Sequence, residues 1–307
     1  MSRGSRFFVF LTRLLRWGYD FSALAFTMKR GIASVVRKAL AASACLFVLA
    51  HAGSVCVAQN QNGSPGSLEG KFVQVNGVRM HYLEWGSEGP SVILLHGMSD
   101  NARTWEKIAP YLAADLHVVA PDRRGSGESD KPAEGDDFQT LVDDISSLAE
   151  SLKLGPLIVV GHSFGAEIAL NFAAQKPALT RAVVLVDGGF WPKRPAGSEP
   201  PASVIEKTSR GHDPEVLYPA VAAPVLLVFA RGSGPGEDVI AKLKEQGIDF
   251  FEEVNKKRNQ ALELARRNLR RMRVVSIEKT GHWIQVDQPR ALAEAIRTFI
   301  AGGEPRR

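Results

Sequence analysis

Attack on a carbonyl carbon needs a nucleophile on a sharp turn, a base within reach of it and N–H donors aimed at the developing oxyanion. This 307-residue chain offers candidates for each. The run Gly161-His162-Ser163-Phe164-Gly165 has the form G-x-S-x-G. Between a strand and a helix, flanking glycines leave room where a Cβ would clash, and the serine hydroxyl then projects from the start of the helix. Leu95-His96-Gly97-Met98 closes another apolar run. The N–H groups of Met98 and Phe164 would together make a two-donor oxyanion hole, each donor worth about 3 kcal/mol. Near the far end stands Gly281-His282-Trp283. An imidazole with a pKa near the ordinary ~6.5 suits proton transfer at neutral pH. Of the histidines at 51, 81, 96, 117, 162, 212 and 282, His282 alone follows a glycine after the last apolar run.

Those residues must be placed by elements that the hydrophobic pattern outlines. Residues 72–75 and 78–84 flank Asn76-Gly77, a two-residue hairpin signal. Short apolar runs at 91–95, 116–120, 157–160, 182–186, 225–229 and 273–277 read as strands. Helical periods at 104–113, 140–152, 166–174, 250–271 and 291–300 fall between or after them. Strands alternating with helices predict an α/β fold, a mostly parallel sheet with helices on both faces and an antiparallel hairpin at its start. In such sheets functional groups gather beyond the carboxyl ends of the strands, which is where the three motifs stand.

With these motifs in place, the chain resembles the α/β-hydrolase superfamily from about residue 72 to residue 299. The resemblance rests on Leu95-His96-Gly97, the turn from Asp122 to Asp130, the Gly161 to Gly165 elbow and Thr280-Gly281-His282-Trp283. It implies Ser163 as nucleophile, His282 as base, an acid between them in chain order, a small-molecule substrate and no cofactor. Gly125-x-Gly127 lacks the third glycine of a dinucleotide loop and reads as a structural turn.

The acid departs from the commonest pattern of that superfamily, an Asp after the strand equivalent to 225–229. Here that strand runs into Ala230-Arg231-Gly232, and the next carboxylates are Glu237 and Asp238. A minority arrangement places the acid one strand earlier, where Asp187 follows Val186. Asp187 would accept the imidazole N–H from a rigid strand end, whereas Glu237 or Asp238 needs a glycine-rich loop to fold back; both possibilities stay open. Residues 188–223, with prolines at 192, 195, 200, 201, 214 and 219, are expected to form a short lid. Phe190, Trp191, Trp105 and Trp283 are candidate walls of the substrate pocket.

Composition bounds the rest. With 45% hydrophobic and 23% charged residues, the chain is an ordinary globular protein, not a disordered or collagen-like one. The formal charge of +5 is concentrated in residues 1–58, which hold eight Lys/Arg against one Asp. The remainder carries 30 basic and 32 acidic residues, so the folded part is not basic and a nucleic-acid partner is not expected. From Met28, the expected start, a basic stretch precedes the apolar run 39–50 and small-residue sites at Ala52 and Ala58, the form of a secretory signal peptide. That run is about 18 Å as helix, short of a bilayer core of roughly 30 Å. No stable membrane insertion is therefore expected after cleavage, with an uncleaved anchor as the alternative. Cys45 and Cys56 both lie in this leader, so no disulfide framework remains after it. Residues 59–70 read as a flexible linker and 71–303 as the hydrolase-like domain. His212-Asp213 alone is too little for a metal site.

The expected function is a secreted or periplasmic serine hydrolase that cleaves an ester through an acyl-enzyme. The alternatives are C–C bond or amide hydrolysis, cofactor-free perhydrolysis by the same residues, and a hydrolase-like small-molecule binding protein without turnover.

Overall fold

Strands that are apolar on both pleats must be covered on both faces. Val159 and Leu185 point into one half of the core, while Val160 and Val184 point into the other. The computed structural model describes residues 69–135, 137–190, 213–232, 237–245, 247 and 249–302. Expectations for residues 1–68 and for the lid segment 191–212 lie outside them.

Among the described residues eight strands form one sheet: β1 (Lys71–Val75), β2 (Val78–Trp85), β3 (Ser91–Leu95), β4 (His117–Pro121), β5 (Leu157–His162), β6 (Thr180–Val186), β7 (Val225–Gly232) and β8 (Met272–Thr280). Their spatial order is β1-β2-β4-β3-β5-β6-β7-β8. The pairs β1–β2 and β2–β4 are antiparallel, and every other pair is parallel. Asn76 and Gly77 turn the first hairpin with positive φ, as the dipeptide predicts.

The helices are α1 (Ala109–Leu112), α2 (Phe138–Ser151), α3 (Phe164–Gln175), α4 (Pro214–Leu217), α5 (Glu237–Glu245), α6 (Phe250–Asn268), α7 (Ile284–Asp287) and α8 (Pro289–Ile300). Leu141, Ile145 and Leu148 of α2, Ala169 and Phe172 of α3, and Ala261 and Ala265 of α6 pack on one face. Trp105, Leu112, Leu292, Ile296 and Phe299 cover the other. Asp137 and Asp249 cap α2 and α6 by accepting the N–H groups of Thr140 and Glu252. Among the described residues no helix is long and apolar enough to cross a membrane.

The structure corrects the reading of 104–113 as one helix. A 3-10 turn at Ala102–Trp105 is followed by the separate four-residue α1, because Pro110 has no N–H to give and is confined to a first helical turn. The helical stretch 250–271 ends earlier, at Asn268, and β8 extends beyond 273–277 to Thr280. Helix α5 and the short α7 were not expected, whereas the short α4 falls within the 188–223 segment expected to form the lid.

Candidate active site

Close packing makes the elbow. Strand β5 ends at His162, and α3 begins at Phe164. Between them Ser163 takes φ 54° and ψ −119°, a region that costs a non-glycine residue about 1–3 kcal/mol. A Cβ on Gly161 would lie 2.1 Å from the Gly165 carbonyl oxygen, and one on Gly165 would lie 2.1 Å from that of Leu95. Both neighbours are backbone and cannot move aside, so the two glycines are a steric requirement of the bend. The Ser163 N–H is tied to Val186 O at 3.0 Å, and Ser163 O accepts from Ala166 N at 3.0 Å.

Asp187 stands at the end of the adjacent strand β6 with φ 46°. Its N–H donates to Val228 O at 2.8 Å, and its Oδ1 accepts from Ala230 N at 3.2 Å. Its Oδ2 receives His282 Nδ1 at 2.8 Å. A carboxylate can only accept, so the proton of that bond sits on Nδ1 and the Nε2 lone pair of His282 is left available. The next residue, Gly188, packs on Ser163 so closely that a Cβ there would be 2.5 Å from Ser163 Cα. The loop carrying His282 is pinned from behind, because Asp287 Oδ2 accepts the Gly281 N–H at 3.0 Å.

The Gly97-Met98 segment approaches the same place. An ideal Cβ on Gly97 would be 3.3 Å from Ser163 Cβ and 3.2 Å from His162 Nδ1. Met98 follows, partly buried against the core, and Phe164 opens α3, where the first-turn N–H groups have no intrahelical acceptor. His96 braces this segment: its Nδ1–H donates to Gly97 O at 2.9 Å, and its Nε2 accepts from Arg123 N at 3.2 Å.

The remaining expected residues divide. Trp283 lies beside the site, its ring 5.3 Å from that of His282. Phe190 and Trp105 are fully buried in the two halves of the core, Phe190 against Phe229 at 4.4 Å between ring centroids. Trp191 lies outside the described residues. Glu237 and Asp238 open α5; the Nδ1 partner of His282 is Asp187. The Asp122 turn is knit for structure: Asp122 accepts from Ala102 N at 2.6 Å, Glu128 N at 2.8 Å and His81 Nδ1 at 2.8 Å. Among the described residues no group of three or more His, Cys, Asp or Glu is arranged to hold a metal ion.

Two buried imidazoles border the site. Burial, reinforced by the Arg123 charge, pushes His96 down to about 4. Burial and the neighbouring His282 hold His162 well below its ordinary value. In the unfolded chain both groups protonate near pH ~6.5, so acid favours the unfolded state before it reaches the folded one. Their contribution is complete above that pH and is lost as pH falls, His96's share ending near 4. The unfolding free energy from urea titrations is therefore expected to be level above neutrality and to drop from pH 6.5 to 4.5, approaching about 1.4 kcal/mol per pH unit for each imidazole. A flat profile over that interval contradicts the neutral, buried assignment.

Sequence reading singled out neither Gly188 nor His162 as contributors. Gly188 is signalled only by its place after Asp187, and His162 only by its place before Ser163.

Known proteins resemble the chain in this region. The family model of the α/β hydrolase fold matches residues 90–210. The soluble epoxide hydrolase of Corynebacterium sp. (strain C12) is 37% identical over 113 residues, 37% of this chain and 39% of that protein. The 2-(acetamidomethylene)succinate hydrolase of Mesorhizobium japonicum is 36% identical over 115 residues, 38% of this chain and 41% of that protein. The chain thus matches well under half the length of either relative. A crystal structure of E-2-(acetamidomethylene)succinate hydrolase superposes with a TM-score of 0.58 at 25% identity, covering 76% of this chain and 100% of that one. Sheet order, elbow and family match agree over the same central strands: the chain has the α/β-hydrolase fold and is similar to proteins of that superfamily.

Proposed function

We propose that the chain is a serine hydrolase that cleaves an ester, or a closely related acyl bond, of a small molecule. One observation carries the reading. Asp187 holds the Nδ1–H of His282 at 2.8 Å, and the residue after Asp187 packs on the backbone of the strained Ser163. Ser163 Oγ gives its proton to His282 Nε2 as it attacks the carbonyl carbon. The N–H groups of Met98 and Phe164 receive the oxyanion, and the imidazolium returns its proton to the leaving group. Water repeats the sequence and releases the acid. Asp187 holds the imidazole in place and stabilises the imidazolium. The leader pattern in 1–58 supports export of this enzyme from the cytoplasm.

The name of one relative carries an epoxide. A serine elbow suits that substrate poorly. Alkoxide attack on an epoxide carbon leaves an ether, which imidazole and water do not cleave, so the enzyme would stall after one turn. Attack on an acyl carbon leaves an ester that water can open. A second reading, an amide-type acyl bond, is favoured by the likeness to the acetamidomethylene succinate hydrolases. The same residues would serve it, with the imidazolium protonating the departing nitrogen.

A fluorophosphonate probe is expected to modify one residue, Ser163. Ser163→Ala should lose all labelling while keeping the wild-type thermal transition. A fluorophosphonate adduct elsewhere, or none on the folded wild type, removes the assignment. Hydrolysis of short nitrophenyl esters with inert acylamides supports the ester reading, and the reverse supports the amide. Ligand-induced stabilisation without turnover on either set would return the chain to a binding role.

A further inference from the structure

We propose that His162 is a positioning residue: its imidazole ties the loop that carries His282 to the turn that carries Ser163, and so sets how the base meets the hydroxyl. The proposal rests on the Ser163, His282 and Asp187 reading above.

The ring of His162 meets all three parts that the reaction needs. Its Nε2–H donates to the main-chain carbonyl of His282 at 2.7 Å, a bond that spans 120 positions of sequence. Its ring centroid is 4.6 Å from that of His282 and 6.3 Å from that of Trp283. On the remaining side Gly97 comes so near that a Cβ would lie 3.2 Å from His162 Nδ1. The backbone from which it projects is stiff, because β5 is paired on both sides, Gly161 with Leu95 and His162 with Val186. His162 is only 1% exposed, so the ring cannot swing away without opening the core.

Burial keeps this imidazole neutral, and neutrality has a use. A second cation so near His282 would oppose the imidazolium that forms there during proton transfer. A neutral ring that donates through Nε2 holds the loop without that penalty. Misplacing a reacting group by about 1 Å costs on the order of a hundredfold in rate, which sets the scale of the expected effect.

Three variants test this with one ester substrate. His162→Leu fills similar space without a donor and is expected to lower kcat about tenfold to a hundredfold with KM within about threefold. Fluorophosphonate labelling of Ser163 should slow in proportion, and the low-field proton resonance of the His282–Asp187 bond should broaden. His162→Gln places an N–H near the imidazole Nε2 and should recover kcat to within about threefold, whereas the shorter His162→Asn should not. Added to Asp187→Asn, His162→Leu should cost less than about threefold more, since both act through His282. A folded His162→Leu with unchanged kcat, labelling rate and low-field resonance overturns the proposal. So does a folded His162→Gln as impaired as His162→Asn, a comparison that stands even where the leucine variant does not fold. Ser163→Ala separates the two levels. If it remains active, the underlying triad is wrong; if it is dead while His162→Leu is unimpaired, only the positioning role fails.

Discussion

Asp187→Asn is expected to lower kcat on the best ester substrate by about 10⁴ while leaving the fold intact. The size follows from which atom the amide must present. The Ala230 N–H points at Asp187 Oδ1 at 3.2 Å and requires an acceptor, so an asparagine at 187 keeps its oxygen there. Its NH₂ group then faces His282 Nδ1, which sits 2.8 Å from Asp187 Oδ2 in the native chain. Two donors cannot share that contact, and the imidazole switches to the tautomer protonated on Nε2. That nitrogen can no longer take the serine proton, and the carboxylate that stabilises the imidazolium is gone as well. Steady-state kinetics on Asp187→Asn, beside Glu237→Gln and Asp238→Asn, decide the matter. A tenfold or smaller loss in the first, with a large loss in either of the others, would transfer the role to α5.

Arg124→Ala is expected to destabilise the domain by about 3–5 kcal/mol, on the order of 10 °C in Tm. Arg124 lies in the turn after β4 and makes a two-point ion pair with Asp144 of α2, Nε to Oδ2 at 2.6 Å and Nη2 to Oδ1 at 2.7 Å. The Asp144 side chain is 2% exposed, and its other partner is the Asn76 amide of the first hairpin at 3.1 Å. Removing the guanidinium strands a carboxylate where water cannot reach it, and that uncompensated charge accounts for most of the cost. The double change Arg124→Met with Asp144→Leu should therefore recover most of the loss, because neither charge remains to be solvated. Urea denaturation of the two variants checks both statements. A single variant within about 1 kcal/mol of the native chain would mean that the pair is not buried as described.

Some of this molecule was legible from its residues alone, and in each case the cause is local. The strands at 91–95 and 225–229 were readable because every side chain in them except that of Ser91 is apolar, as a strand covered on both faces demands. The elbow was readable because the glycines at 161 and 165 answer clashes arising within a few residues and against the neighbouring strand end. Pro110 carried its own signal, and the break in 104–113 follows from it, although the apolar period across that stretch concealed the break.

What sequence order left open were relations between distant segments. Whether Asp187 or a carboxylate of α5 receives His282 depends on where a loop 95 positions away returns, and the types of the three candidates do not differ in the needed chemistry. The bond from His162 to the His282 carbonyl, and the fully buried places of Trp105 and Phe190, have the same origin. Tryptophan and phenylalanine line pockets and fill cores with the same apolar surface, so only their neighbours in space distinguish the two. The chain by itself determined which groups could react and on which kind of turn they stand. The packed sheet decided which of them meet, because a hydrogen bond of 2.8 Å is made or lost by the position of a whole strand end and not by the residue that carries it.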